Sequence, residues 1–496
     1  MVWNLLFNNR AIYIYVLIMS TVGIIFIFYL FFLIAVGLRS IRFNKSQEDY
    51  LLAGRRLGPW VTAFSERASG ESAWLLLALP GAAISVGLGE IWTVVGITLG
   101  IIASWYLIAE RLRIETEKYN ALTIPGYLHK KYNDQSNIIG LFSSVIIAFF
   151  FLFYVSAQFH ASGKVINTLF GLSSINGIIL GAIVIILYTL MGGFFAIAWT
   201  DLLQGILMIG TLVILPIVGI IELQNQDRTI YEVLNQVGES KSSFTMGKSG
   251  FAAISVILGG LSWGFGYLGQ PHLVIRFMAI KNPSDIKKAK LIAILWAIPG
   301  ILGAFIIGLV ALNYFGPDFF IINDVEQAMP LLATELLPPI IAGLLISGAV
   351  AAMMSTADSQ LLVSTSAITE DFIHRYLGFN LSDKTLLFIN RITIIILGLC
   401  AFFIAIYSEI SGKNIFGVVS YAWSGLGSSF GPVLVLTLWW SKTTRKGVIA
   451  GLLVGFFTTI IWANTDLRFI VSERLTSFVF AFIIVILVSY LDKGKS

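Results

Sequence analysis

One cysteine, Cys400, stands among 496 residues, so an intrachain disulfide is excluded and pairing says nothing about redox compartment. Charge is scarce as well: Asp, Glu, Lys and Arg make up 12% of the chain, against about a quarter in a soluble globular protein. The four histidines form no zinc-spaced set with the cysteine. There is neither a phosphate-cradling glycine loop nor a Gly-x-Ser-x-Gly elbow with a candidate triad, so an enzyme is not expected. No basic stripe forms a domain of its own, which removes nucleic acid as a partner. Hydrophilic stretches are short, the largest running from about 222 to 250, and the membrane sensor, a reading from another class, would need an attached signalling module.

What is present is apolar. Hydrophobic residues make up 57% and mean hydropathy is +0.87, so the partner surface is a lipid bilayer. At about 20 residues per crossing, spans fall near 11–38, 60–84, 91–109, 137–169, 175–191, 194–221, 251–279, 289–314, 340–373, 385–408, 415–440, 447–462 and 475–491. The first run is too long for a signal-peptide core and lacks a small-residue cleavage site after it, so it reads as a retained span. Lys and Arg in alternate loops divide roughly three to one, with Arg276 counted on the richer, cytoplasmic side. That bias supports the thirteen crossings and predicts an N-terminus outside and a C-terminus in the cytoplasm.

The second span is interrupted at Ser65-Glu66-Arg67-Ala68-Ser69-Gly70-Glu71-Ser72-Ala73-Trp74. Each ionisable group at mid-membrane costs about 2.5–3.5 kcal/mol on insertion scales and is kept where protein or a water path receives it. The stretch therefore predicts a broken helix whose freed carbonyls hold a cation. A second break follows five spans later at Leu261-Ser262-Trp263-Gly264-Phe265-Gly266-Tyr267-Leu268-Gly269-Gln270-Pro271-His272, where three glycines and a proline weaken helical bonding. This spacing predicts two inverted five-helix repeats, 60–221 and 251–440, with an extra N-terminal helix at 11–38 and two C-terminal helices over 447–491.

Ser355 and Thr356 lie in an apolar span. Their hydroxyls either bond back to carbonyls one turn earlier or, with the unwound segment, complete an oxygen set for a small hard cation. Asp201 is either an interfacial helix cap or a group on an ion path. Trp263 and Tyr267, one turn apart, and Tyr154 are either packing or the wall of a solute pocket. Gln158 and His160 need polar partners. Arg67 and Asp358, both near mid-span, are expected to pair.

The residues also carry a resemblance. Tyr50-Leu51-Leu52-Ala53-Gly54-Arg55-Arg56-Leu57-Gly58-Pro59, Ser72-Ala73-Trp74-Leu75-Leu76 with Leu79-Pro80-Gly81-Ala82, and Gly192-Gly193-Phe194 with Trp199-Thr200-Asp201 are similar to motifs of the sodium:solute symporters. So are Gly269-Gln270-Pro271-His272, Ser355-Thr356 with Gln360-Leu361-Leu362, and Ser366-Ala367-Ile368-Thr369-Glu370-Asp371. In order, these run from about Tyr50 to Trp440, and within the family the chain most resembles its bacterial sodium/proline branch.

The resemblance implies an all-α membrane protein with a leucine-transporter-like 5+5 inverted repeat, working by alternating access. Its ligands would be Na+ and a small solute, with L-proline first and another amino acid or small carboxylate second. It implies a sodium site of the Ala68, Glu71 and Ala352 carbonyls with the Ser355 and Thr356 hydroxyls, so the Glu71 side chain is not fixed by that role. It implies solute contacts from Tyr154, Trp263, Tyr267, Ser72 and Trp74, an ion-route carboxylate at Asp201 and a cytoplasmic-side arginine at Arg55. The chain departs from the family at Ala68-Ser69-Gly70, where proline symporters read Ala-Ser-Asp, and in carrying Glu66, Arg67, Glu71 and Asp358.

Overall fold

The computed structural model describes residues 21–36, 47–379 and 381–493. Among them the structure is helical, with one isolated bridge between Leu57 and Ile280. The principal helices are α1 (Thr21–Val36), α2 (Pro59–Gly70), α3 (Leu79–Val86), α4 (Ile91–Ser104), α5 (Ile138–Phe170), α6 (Ser174–Met191), α7 (Phe194–Asn225) and α8 (Gly250–Leu261). They continue with α9 (Pro271–Ala279), α10 (Ile286–Phe315), α11 (Pro339–Ser366), α12 (Asp383–Ile410), α13 (Ile415–Trp439), α14 (Arg445–Ala463) and α15 (Glu473–Lys493).

By length and apolarity, nine described helices suffice to cross a membrane, or ten if the bent pair Gly250–Gly266 and Pro271–Ala279 is one span. The thirteen expected crossings are not reached on that criterion, for local reasons. The span expected at 60–84 is cut short where α2 ends at Gly70. Its continuation runs through a wide helical turn, Trp74–Ala78, and past Gly87 at φ 74° into α4, so that Trp74–Lys118 qualifies as one unit. Of the expected span 11–38, residues 11–20 and 37–38 lie outside the described residues.

Burial separates an inner set of helices from an outer one. In α11, 83% of the most apolar window is buried, against 28% in α12 and in α15. Alanine, glycine and serine dominate α11 from Ala342 to Ala352, and small residues let helix backbones approach closely where lipid supplies no hydrophobic drive. At Gly348 an added Cβ would come 2.5 Å from Thr211 Oγ1 of α7, and that hydroxyl donates to Leu345 O at 2.8 Å. The helix α2 is packed by α7, α9, α10 and α11, which surround the interrupted stretch with protein. The C-terminal helices α14 and α15 pack on each other and on α13.

Candidate functional site

Proline at its first position starts α2, where the missing N–H costs nothing, and the helix ends at Gly70. Glu71 still donates its N–H to Arg67 O at 2.9 Å, but Ser72 is outside helical geometry and the next bond runs from Leu75 N to Ser72 O. Carbonyls of the last turn are thereby released from helix bonding. Two hydroxyls of α11 take them up. Ser355 Oγ donates to Ala68 O at 2.9 Å and lies 3.2 Å from Ala352 O, and Thr356 Oγ1 donates to Ser69 O at 3.1 Å. In the reverse sense Ser69 Oγ donates to Ser355 O at 3.1 Å. These residues are fully buried, and the donors are neutral oxygens, the set a small hard cation takes. Ser69 O was not part of the expected set.

Alongside lies a charged cluster that joins four helices. Asp201 Oδ2 accepts from Ser65 Oγ at 2.6 Å and from Ser69 Oγ at 3.2 Å on α2, and from Arg276 Nη2 of α9 at 3.1 Å. Arg276 also donates to Ser65 Oγ at 3.1 Å, to Ser69 Oγ at 2.7 Å and to Ser359 Oγ on α11. The helix-cap reading of Asp201 is corrected: it lies more than a turn inside α7, whose N-cap is Gly193.

The expected Arg67–Asp358 pair is also corrected. Arg67 donates through Nε to Glu66 Oε2 at 2.6 Å, through Nη2 to Glu66 Oε1, and through Nη1 to Glu71 Oε1 at 2.8 Å. Carboxylates one and four residues away, Glu66 within α2 and Glu71 just past its end, reach it without crossing to another element. Asp358 accepts from Ser359 Oγ at 3.2 Å and falls on the side of the Arg276 cluster. Arg276 itself, counted from the sequence with the cytoplasmic basic residues, is fully buried. The signal that could have found it is an arginine in the apolar helix directly after the second break.

At the second break, Ser262 separates α8 from a short turn, Trp263–Gly266, and α9 starts at Pro271. Trp263 stacks on Trp74 with ring centroids 5.9 Å apart. Around Trp423 of α13, Tyr267 lies edge-on at 4.7 Å, Tyr154 at 6.3 Å and Trp263 at 6.5 Å. Trp423 Nε1 donates to Trp263 O at 3.0 Å. Trp74 Nε1 donates to Gly70 O at 3.0 Å, Ser72 Oγ accepts from Trp74 N at 3.3 Å, and Ala73 N donates to Gln158 Oε1 at 3.1 Å. The five expected solute residues thus meet in one buried aromatic cluster whose hub, Trp423, the sequence reading missed. A cavity of about 400 Å³ reaches Trp263 between Glu90, Phe416 and Arg474.

Arg55 lies apart from these groups. It donates to Met278 O at 3.0 Å, Thr116 O at 3.1 Å and Ala121 O at 2.8 Å, stapling three segments. His160, away from the aromatic hub, hydrogen-bonds Glu409 at 2.8 Å.

Against known families, residues 50–455 match the model of the sodium:solute symporter family. The chain is 39% identical to the high-affinity proline transporter PutP of Bacillus subtilis strain 168, over 94% of this chain and 97% of that protein. It is 37% identical to the sodium/proline symporter of Escherichia coli K12, over 95% and 93%. Among solved structures, a Na+-coupled sialic acid symporter in a substrate-bound outward-open state superposes with a TM-score of 0.79 at 19% identity, covering 95% of this chain and 98% of that one. MhsT in complex with L-phenylalanine superposes with a TM-score of 0.55 at 16% identity, over 86% and 98%. These two likenesses carry the fold.

Proposed function

The chain belongs to the sodium:solute symporter family, and from that premise we propose that it moves L-proline into the cell with Na+ by alternating access. The observation that carries the reading is the meeting of Ser355 and Thr356 hydroxyls with the Ala68 and Ser69 carbonyls freed at the break in α2. In our reading the Ala68, Glu71 and Ala352 carbonyls and both hydroxyls hold Na+. Hydroxyls that bond carbonyls in the ion's absence turn their lone pairs to it when it enters. Ion binding then ties α2 to α11, and the aromatic cluster of Tyr154, Trp263, Tyr267, Ser72 and Trp74, built on the same broken helix, feels that tie. Asp201, with Arg276 and the two α2 serines, lines the ion route. Arg55 anchors the cytoplasmic side, and Arg67 and Asp358 belong to two separate charge networks.

We assign 60–221 and 251–440 as inverted repeats, 11–38 as an extra N-terminal helix and 447–491 as two further helices. That makes thirteen crossings of a cytoplasmic membrane with the N-terminus outside. The proline assignment follows the relatives' substrates and the aromatic set. A second reading, another amino acid, draws on Gly70 standing where the proline branch has an aspartate. An added Cβ at Gly70 would lie 3.3 Å from Leu273 Cδ2 and 3.7 Å from Arg67 Nη2, so the space beside position 70 is bounded first by Leu273 of α9 and then by Arg67. Uptake of labelled proline into proteoliposomes tests the reading. It should rise with an inward sodium gradient and vanish without one, and sodium-driven uptake of a different amino acid alone would select the second reading.

A further inference from the structure

In the sodium site only the carbonyl of Glu71 would serve, and its side chain is left without a task. It is fully buried. Oε1 accepts from Arg67 Nη1 at 2.8 Å and from the Tyr267 hydroxyl at 3.0 Å, while Oε2 has no hydrogen-bond partner. Glu66 engages Arg67 more fully, taking Nε at 2.6 Å and also Nη2, and it receives Trp105 Nε1 at 3.0 Å. The bidentate geometry gives Glu66 the larger share of the guanidinium. The triad therefore holds two carboxylates against one cation, inside a membrane protein, at zero exposure.

A buried charge is retained when it is paired, and Glu71 shares with Glu66 the one cation that reaches it, Arg67, so a second cation beside Oε2 would complete its pairing. Its place is set by what surrounds the carboxylate. Tyr267, which holds Oε1, packs edge-on against Trp423, and Ser72 and Trp74, one and three residues after Glu71, belong to the same aromatic cluster. A cationic guest of that cluster would meet Oε2.

We propose that the Glu71 carboxylate accepts the protonated nitrogen of the solute, so that this chain selects zwitterionic amino or imino acids over carboxylic acids of the same shape that lack the nitrogen. The assignment rests on the amino-acid reading above. It gives the broken helix two distinct cationic guests: Na+ on backbone and hydroxyl oxygens, and the solute nitrogen on a side-chain carboxylate. Tyr267 acts as a positioning residue, holding Oε1 so that Oε2 is presented.

The test compares pairs of solutes that differ in the nitrogen: proline with tetrahydrofuran-2-carboxylate, and alanine with lactate. Each is measured as a competitor and as a substrate of sodium-driven uptake into proteoliposomes. In the native chain the nitrogen-bearing member should bind more tightly by about tenfold or more, the size of a charge-assisted hydrogen bond. Glu71→Gln keeps the carbonyl and the shape. It should erase most of that preference by weakening the amino acid, with the sodium concentration at half-maximal uptake unchanged at saturating solute. Tyr267→Phe should reduce the same preference by a smaller factor. A preference that survives Glu71→Gln overturns the proposal, as does a Glu71→Gln effect confined to sodium, which would make Glu71 an ion ligand, or a silent Glu71→Gln, which would mean a protonated side chain. The two readings separate cleanly. If alanine but not proline is carried and the pairwise preference obeys Glu71, the proline assignment fails and this one stands. If proline is carried but the preference ignores Glu71, the reverse holds.

Discussion

Two buried charge clusters flank the break in α2, and each sets two carboxylates against one guanidinium. In the first, Glu66, Arg67 and Glu71 all lie within five residues of one another, and every ion pair is internal to that stretch. In the second, Asp201 on α7, Arg276 on α9 and Asp358 on α11 come from helices far apart in sequence, joined through Ser65, Ser69 and Ser359. The contrast teaches that equal charge counts do different work. The local cluster keeps its charges within one segment, whereas the distributed one ties four helices together beside the break in α2.

That difference ranks the expected effects. Arg276→Met should be the most damaging, since it strips Asp201 of its cation and breaks bonds to two helices. Removing one partner of a buried pair costs about 3–5 kcal/mol, read as lost thermal stability and lost membrane expression. Adding Asp201→Asn should recover much of it, and a double variant no better than the single one would dissolve the distributed cluster.

Next, Arg67→Met should destabilise by a comparable or smaller amount, with Glu66→Gln as the rescuing partner. Combined with Asp358→Asn it should act additively within about 0.5 kcal/mol, as unconnected sites do. A coupling well beyond that, measured by a double-mutant cycle on melting in detergent, would merge the two clusters into one. Third, Trp263→Ala removes the ring stacked on Trp74 and should weaken solute binding about tenfold or more with sodium binding kept. Cysteines placed at 154, 263 and 267 in a Cys400→Ser background should be shielded from thiol reagents by the solute. The smallest effect is expected at half-buried Arg55. Arg55→Gln gives up hydrogen bonds to three carbonyls and should cost about 1–3 kcal/mol without changing solute preference.

The residues of the local cluster are legible in the sequence, though the expected Arg67–Asp358 pair misses their mutual pairing, and the distributed cluster is not legible, for a physical reason. Charges within one turn of a helix can meet whatever the tertiary fold, so Glu66, Arg67 and Glu71 announce themselves, as do the prolines and glycines that break a helix near Ser72 and Ser262. Partners across helices depend on rotation and register that spacing does not encode. For that reason the loop count places Arg276 at a cytoplasmic edge, mid-span position gives Asp358 the wrong partner, and nothing marks Trp423 among the glycines and serines of α13. The oxygen set was half visible: two adjacent hydroxyls in an apolar span suggest a ligand, but which carbonyl each meets, Ala68 for Ser355 and Ser69 for Thr356, is a matter of how α2 and α11 cross.

The central claim is that the break in α2 and the hydroxyls of α11 together hold the coupling ion. The most direct measurement is the sodium dependence of solute uptake in proteoliposomes carrying Ser355→Ala with Thr356→Ala, made at saturating solute and normalised to inserted protein. The account predicts that the sodium concentration at half-maximal uptake rises by about tenfold or more, two hydroxyl ligands being lost, while the ranking of solutes stays as in the native chain. An unchanged sodium curve in a correctly inserted double variant would contradict it.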